Sequence, residues 1–263
     1  AEDGIRDKLV TGVQTCALPI FLGRPGQGKA PHPRIPRCET TTRFIHTGRG
    51  SATIAPPLDE VCQVNTPANE PPLVDTHAHV FTLDTPLSPD SWHKPPQHAR
   101  VESYLAELDA AGVVFGVIAA ASLFGDNNDY AIAAVRGRPR LRTTVIVRPD
   151  IDPYVLRQMK ADGVVGIRLQ WRNMAAIPDL RSYECRRLLK RVADLDWHVH
   201  LHDNGPRLPD SIAAIEAAGP RLVIDHFGRP DPRQGVNCAG FQAVLRATER
   251  GRTWVKLSAA YRL

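Results

Sequence analysis

The chain has 263 residues, enough for one large α/β domain or two small ones, and 43% of them are hydrophobic. Its net charge of +5 is spread over the chain instead of gathered into a basic stripe with interleaved aromatics, which argues against a nucleic-acid surface. No stretch approaches the roughly 20 apolar residues of a membrane span, and the N-terminus lacks the basic start and apolar core of a signal peptide. The five cysteines are odd in number, far apart and form no CxxC, which fits a reducing cytoplasm better than a disulfide framework or a cysteine zinc site.

Residues 1–20 read as the conceptual translation of a sequencing-library adapter, so this segment is expected to be an artefact outside the fold. No methionine precedes Met159. Residues 21–72 carry scattered Pro, Gly, Thr and Arg without a helical or strand period, and are expected to be a disordered or non-native leader. A domain is expected over 73–263.

From Leu73 onward, strand and helix patterns alternate. Strands are expected at Leu73–His79, Val113–Ala120, Leu141–Arg148, Val164–Gln170, Trp197–His202, Arg221–His226 and Thr253–Ser258. Between them, helical spacing covers Val101–Ala111, Asn127–Arg136, Pro153–Ala161, part of Leu180–Leu195, Asp210–Ala218 and Cys238–Arg250. Asp152 and Pro153 form a helix start, with an N-cap acceptor followed by proline at the first helical position. A Rossmann-type sheet lacks support, since no Gly-x-Gly-x-x-Gly follows the first strand. Polar residues gather at strand C-terminal ends, where a (β/α)8 barrel builds its active site. The expected fold is therefore an α/β TIM barrel, incomplete, with about seven βα repeats. A seven-stranded barrel leaves two strand edges open, so this chain alone is expected to aggregate and to be inactive.

The chemistry-bearing residues sit on those strand ends. His77 and His79 close the first strand in Asp75-Thr76-His77-Ala78-His79 and share a face with Asp75. Such a pair can bind a metal, polarise a carbonyl, or simply be satisfied by backbone partners. The fifth strand places His198, His200 and His202 on one face, with His198 deepest and structural and His202 nearest the loop. His226 ends the sixth strand. Arg148 and Arg168 fall within expected buried strands, as internal salt-bridge partners of Asp75 or Asp225 or as bidentate ligands for a substrate carboxylate. Arg262 holds the corresponding place after the seventh strand.

DTHAHVF at Asp75–Phe81, GIRLQ at Gly166–Gln170, DWHVHLHD at Asp196–Asp203, VIDHFGRP at Val223–Pro230 and KLSAAYRL at Lys256–Leu263 together resemble the amidohydrolase-related 2-pyrone-4,6-dicarboxylate lactonase group. The resemblance implies an amidohydrolase barrel that hydrolyses a lactone in a small carboxylated ring without a required metal or other cofactor. It implies catalytic roles for His77, His79 and His226, with His202 where the group carries an aromatic hydroxyl, and carboxylate binding by Arg148, Arg168 and Arg262. It further implies a water-activating aspartate in a Gly-(Ser/Thr)-Asp-Trp-Pro motif on an eighth strand, a motif this sequence does not contain, so the chain is expected to be a fragment. Two other readings stand beside it. One is a mononuclear zinc hydrolase or decarboxylase using His77, His79 and either His200 or His202, with water as the fourth ligand. The other is a non-catalytic carboxylate-binding barrel. In each case the partner is a small anion, with no nucleic acid or membrane; oligomeric state is left open.

Overall fold

The computed structural model describes residues 73–259; the expected adapter and leader segments and Arg262 lie outside the described residues. Seven strands form one parallel sheet in sequential order: β1 (Val74–Ala78), β2 (Phe115–Ile118), β3 (Leu141–Val145), β4 (Val164–Gln170), β5 (His198–His202), β6 (Arg221–Ile224) and β7 (Thr253–Val255). The helices between them are α1 (Val101–Ala110), α2 (Asp129–Val135), α3 (Pro153–Asp162), α4 (Tyr183–Asp194), α5 (Leu208–Ala218) and α6 (Ala239–Glu249). Sequential parallel order with a helix at every crossover is the connectivity of a βα barrel. The sheet also curls: Lys256, just past β7, donates from Nζ to the carbonyl oxygen of Thr76 in β1 at 2.7 Å. Among the described residues, no helix is long and apolar enough to cross a membrane.

The strands are buried because α3–α6 cover one side of the sheet with a continuous apolar layer that includes Leu156, Leu188, Leu189, Ile212, Ile215 and Val244. A second, smaller core joins Val80, Tyr104, Leu108, Ile118 and Leu141 under α1 and α2. Asp152 caps α3 as the sequence implies, its carboxylate accepting from the Tyr154 amide at 2.6 Å, and Ser182 caps α4 through the Cys185 amide.

Five strands end earlier than their apolar patterns imply: β1 at Ala78, β2 at Ile118, and β3, β6 and β7 at points that bear on the site. β3 stops at Val145 because the Asn128 side chain takes over the next rung, accepting from the Ile146 N–H at 3.0 Å and donating to its carbonyl at 2.8 Å. Arg148 is consequently in the loop and not in a buried strand. β6 stops at Ile224, and the chain then turns through left-handed backbone at His226 (φ 52°) and Phe227 (φ 58°). β7 ends at Val255, which leaves Lys256 and Ser258 on the rim.

Candidate active site

The C-terminal ends of β1, β4, β5, β6 and β7 deliver one connected polar cluster. At its centre Asp225, one residue beyond β6, has no exposed side-chain surface. Its Oδ2 accepts from Arg168 Nη2 at 3.0 Å, and its Oδ1 lies 2.5 Å from His200 Nε2, 3.3 Å from His77 Nδ1 and 3.7 Å from Lys256 Nζ. Burial pushes this carboxyl up, but His200, His77 and Lys256 together hold it well below its usual range. Arg168 also donates to the Ala120 carbonyl at 2.7 Å. The internal salt bridge is therefore the arrangement the structure shows for Arg168, with Asp225 and not Asp75 as partner.

Asp75 is used differently. Its carboxylate accepts from the Tyr104 hydroxyl at 2.9 Å and from the His77 amide at 3.0 Å, so it braces the strand beneath the rings instead of touching them. The β1–β2 register shifts between Asp75 and Ala78, at the His77 position.

Above this layer the imidazoles converge. His77 and His79 do face each other, Nε2 to Nε2 at 3.4 Å, and His79 Nδ1 sits 2.8 Å from the Ala119 carbonyl. The His226 ring is centred 5.1 Å from that of His77 and 4.9 Å from that of His202, the latter pair edge to face. His226 Nδ1 is 2.9 Å from Ser258 Oγ. His202 is only 4% exposed, yet neither of its ring nitrogens has a hydrogen-bond partner among the described residues. Burial, more than any charge, pushes His77, His79, His200 and His202 below the ordinary histidine range, so the rings are neutral at physiological pH. His198 lies at the N-terminal end of β5 and is pushed down to about 4 by burial, in keeping with a structural role.

The structure thus brings together four of the expected residues, His77, His79, His202 and His226, with His200 and Arg168 in the layer below. Arg148 does not join them: its side chain is 74% exposed and pairs with Asp150 two residues on, because β3 has already ended. Two central residues carried no assigned role in the sequence. Asp225 was visible only as a possible ion-pair partner, and Lys256 only as the first letter of the seventh-strand motif. A lysine directly after an apolar strand, on a rim of histidines, was the available signal. Arg229 was likewise unassigned, and its charge reaches His202 closely enough to help depress that ring's pKa.

Donor atoms of His77, Asp225 and His226 lie within 4.8 Å of one another, a spacing compatible with a divalent ion. The charges around them do not suit one. Asp225 already carries Arg168 and His200, and the Lys256 ammonium stands 3.3 Å from His77 Nδ1 and 3.1 Å from His200 Nε2. A second cation there would be repelled by the first unless Lys256 moved or lost its proton. Of the expected histidine ligands, His200 has its Nε2 turned to Asp225.

An amidohydrolase family model matches residues 74–263. The chain belongs to the amidohydrolase family. A structure from Acinetobacter baumannii, named a probable 2-pyrone-4,6-dicarboxylic acid hydrolase and holding citric acid, is 31% identical, with a TM-score of 0.68 over 72% of this chain and 71% of that one. A Pseudomonas putida structure with the same provisional name is 37% identical, with a TM-score of 0.66 over 72% and 70% of the two chains. The 4-sulfomuconolactone hydrolase of Hydrogenophaga intermedia is 29% identical over 72% of this chain and 63% of its own length. The chain spans 63–64% of the length of the curated relatives it matches.

Proposed function

We propose that this amidohydrolase hydrolyses a lactone in a small carboxylated ring, and that it does so without a required metal. The observation that carries the reading is His202 beside His226: a buried ring with two unpartnered nitrogens, at the rim where a barrel binds its substrate. A buried donor without a partner is costly, and a substrate oxygen would relieve that cost. The relatives named for lactones of sulfonated or carboxylated rings support the substrate class.

In this reading, water adds to the lactone carbonyl and the developing oxyanion accepts N–H from the rings of His202 and His226, while the His77–His79 pair, whose ring contacts include His226 at 5.1 Å from His77, holds that ring in place. The ring C–O bond then breaks, leaving a carboxylic acid, which releases its proton to solvent as the carboxylate, and an alkoxide that becomes a hydroxyl by taking the proton the base removed from water. The water-activating base is assigned, by resemblance alone, to an aspartate on an eighth strand. Substrate carboxylates fall to arginines: Arg229, whose charge acts on His202, Arg148 in the loop after β3, and Arg262 by resemblance alone. A reducing cytoplasmic setting belongs to the same proposal, supported by Cys185 and Cys238, which are buried and unbridged.

The zinc reading keeps one specific support, the 3.4 Å approach of two imidazole nitrogens on β1. The two are separated by incubating the protein, extended through the eighth strand that supplies the base, with 2-pyrone-4,6-dicarboxylate or 4-sulfomuconolactone, with and without a chelator, and following ring opening. Undiminished turnover under chelation supports the proposal. Turnover restored only by zinc favours the second reading, and binding without turnover favours a non-catalytic barrel.

A further inference from the structure

The contacts around Lys256 leave few free choices of proton position. An ammonium has three N–H donors and accepts nothing. One goes to the Thr76 carbonyl at 2.7 Å. His200 Nε2 lies 2.5 Å from Asp225 Oδ1, so it carries a hydrogen and donates there, leaving no lone pair for Lys256 at 3.1 Å. The remaining acceptors within reach of Lys256 are His77 Nδ1 at 3.3 Å and, more distantly, Asp225 Oδ1 at 3.7 Å. An imidazole that accepts at Nδ1 carries its hydrogen at Nε2. His77 then donates from Nε2 to His79 Nε2 at 3.4 Å, and His79 donates from Nδ1 to the Ala119 carbonyl at 2.8 Å. The single N–H of His77 and that of His79 then each have an acceptor.

The opposite tautomer would turn a His77 Nδ1–H toward Asp225 Oδ1, 3.3 Å away, and so toward the Lys256 cation as well. It would also aim the Nε2 lone pairs of His77 and His79 at each other across 3.4 Å, an arrangement that only a shared cation makes favourable. Arg168 and His200 already satisfy Asp225, whereas the Lys256 N–H would lose its nearest remaining acceptor.

We propose that Lys256 is a positioning residue that locks His77 in the Nε2–H tautomer, closing the His77–His79 pair to metal and filling with an ammonium the place a divalent ion would take. The proposal rests on the metal-free reading of the site but is measured by ring protonation and metal content, not by turnover. A failed lactone assay would therefore leave it standing.

Two measurements on the 263-residue chain test it. Long-range proton–nitrogen NMR spectra of the unaltered protein should show His77 protonated at Nε2 and accepting at Nδ1. Cobalt(II), offered in slight excess and then removed by desalting, should be excluded by the unaltered protein. Lys256→Met and Lys256→Gln should retain about one equivalent with a visible ligand-field band, at least about a tenfold gain in affinity. Stoichiometric cobalt on the histidines of the unaltered protein, a His77 Nδ1–H signal, or exclusion of cobalt by both variants with unchanged circular dichroism would overturn the proposal. If both variants unfold, the His77 tautomer of the unaltered protein decides it alone.

Discussion

Arg168 donates to Asp225 at 3.0 Å with 3% and 0% of the two side chains exposed, so neither charge has water to fall back on. Breaking such a pair from one side strands a buried cation, and here Lys256 would lose part of its compensation as well. Asp225→Asn is expected to cost about 3–5 kcal/mol in denaturant unfolding. The double variant Arg168→Met/Asp225→Asn should recover part of that loss, because the stranded guanidinium is gone. Equal losses in the single and double variants would show that the pair is not coupled.

Tyr104 reaches over Gly116 to bond Asp75, and a Cβ on Gly116 would stand 2.4 Å from the Tyr104 hydroxyl. Tyr104→Phe leaves the buried Asp75 with one donor fewer and should destabilise by about 1–3 kcal/mol. Gly116→Ala should be worse in the natural background than in Tyr104→Phe, where the hydroxyl that collides is absent. A double-mutant cycle on thermal midpoints measures this coupling, and strict additivity would refute the contact.

How much of this was legible beforehand differs by level. Every helix and strand could be placed from periodicity, because strands buried beneath helices read as apolar runs bounded by turn residues. The strand ends could not, because what stops β3 is the amide of Asn128, 18 residues earlier in the chain, and what stops β6 is a backbone reversal at His226. The converging histidines were readable from their alternation at strand ends. Asp225 and Lys256 were not, since a charge acquires its role from partners on other strands: Lys256 meets Thr76 and His77 across 180 and 179 positions of sequence. Arg148 shows the converse, a residue type that fitted a buried strand until the strand proved three residues shorter.

Acid should unfold the domain in a specific window. His77, His79, His200 and His202 are held below the ordinary value of 6.5 by burial, and His198 is lowered to about 4. A histidine depressed in the folded state binds its proton more readily when unfolded. Its contribution to stability is therefore intact above about pH 6.5 and declines as the pH falls toward the folded value. Each such group removes about 1.4 kcal/mol per pH unit inside that window. Asp225, depressed well below 3.8, adds a further loss only once the pH drops below its unfolded value. Urea midpoints at pH 7.5, 6.0 and 5.0 should fall steeply, with uptake of more than about one proton on unfolding. A flat profile across that range would contradict the buried neutral rings.

His202 separates stability from function. Its two ring nitrogens are buried without partners, so the ring carries a desolvation cost that an apolar replacement of similar size does not. His202→Phe is expected to leave the thermal midpoint unchanged or raise it, because the edge-to-face contact with His226 at 4.9 Å survives the exchange. In the protein extended through the base-bearing eighth strand, the same substitution should lower lactone hydrolysis by about 100-fold or more if the ring donates to the oxyanion. A structural histidine would behave the other way, losing stability while sparing turnover. Calorimetry and kcat/KM on one pair of proteins therefore decide whether His202 belongs to the chemistry or to the core.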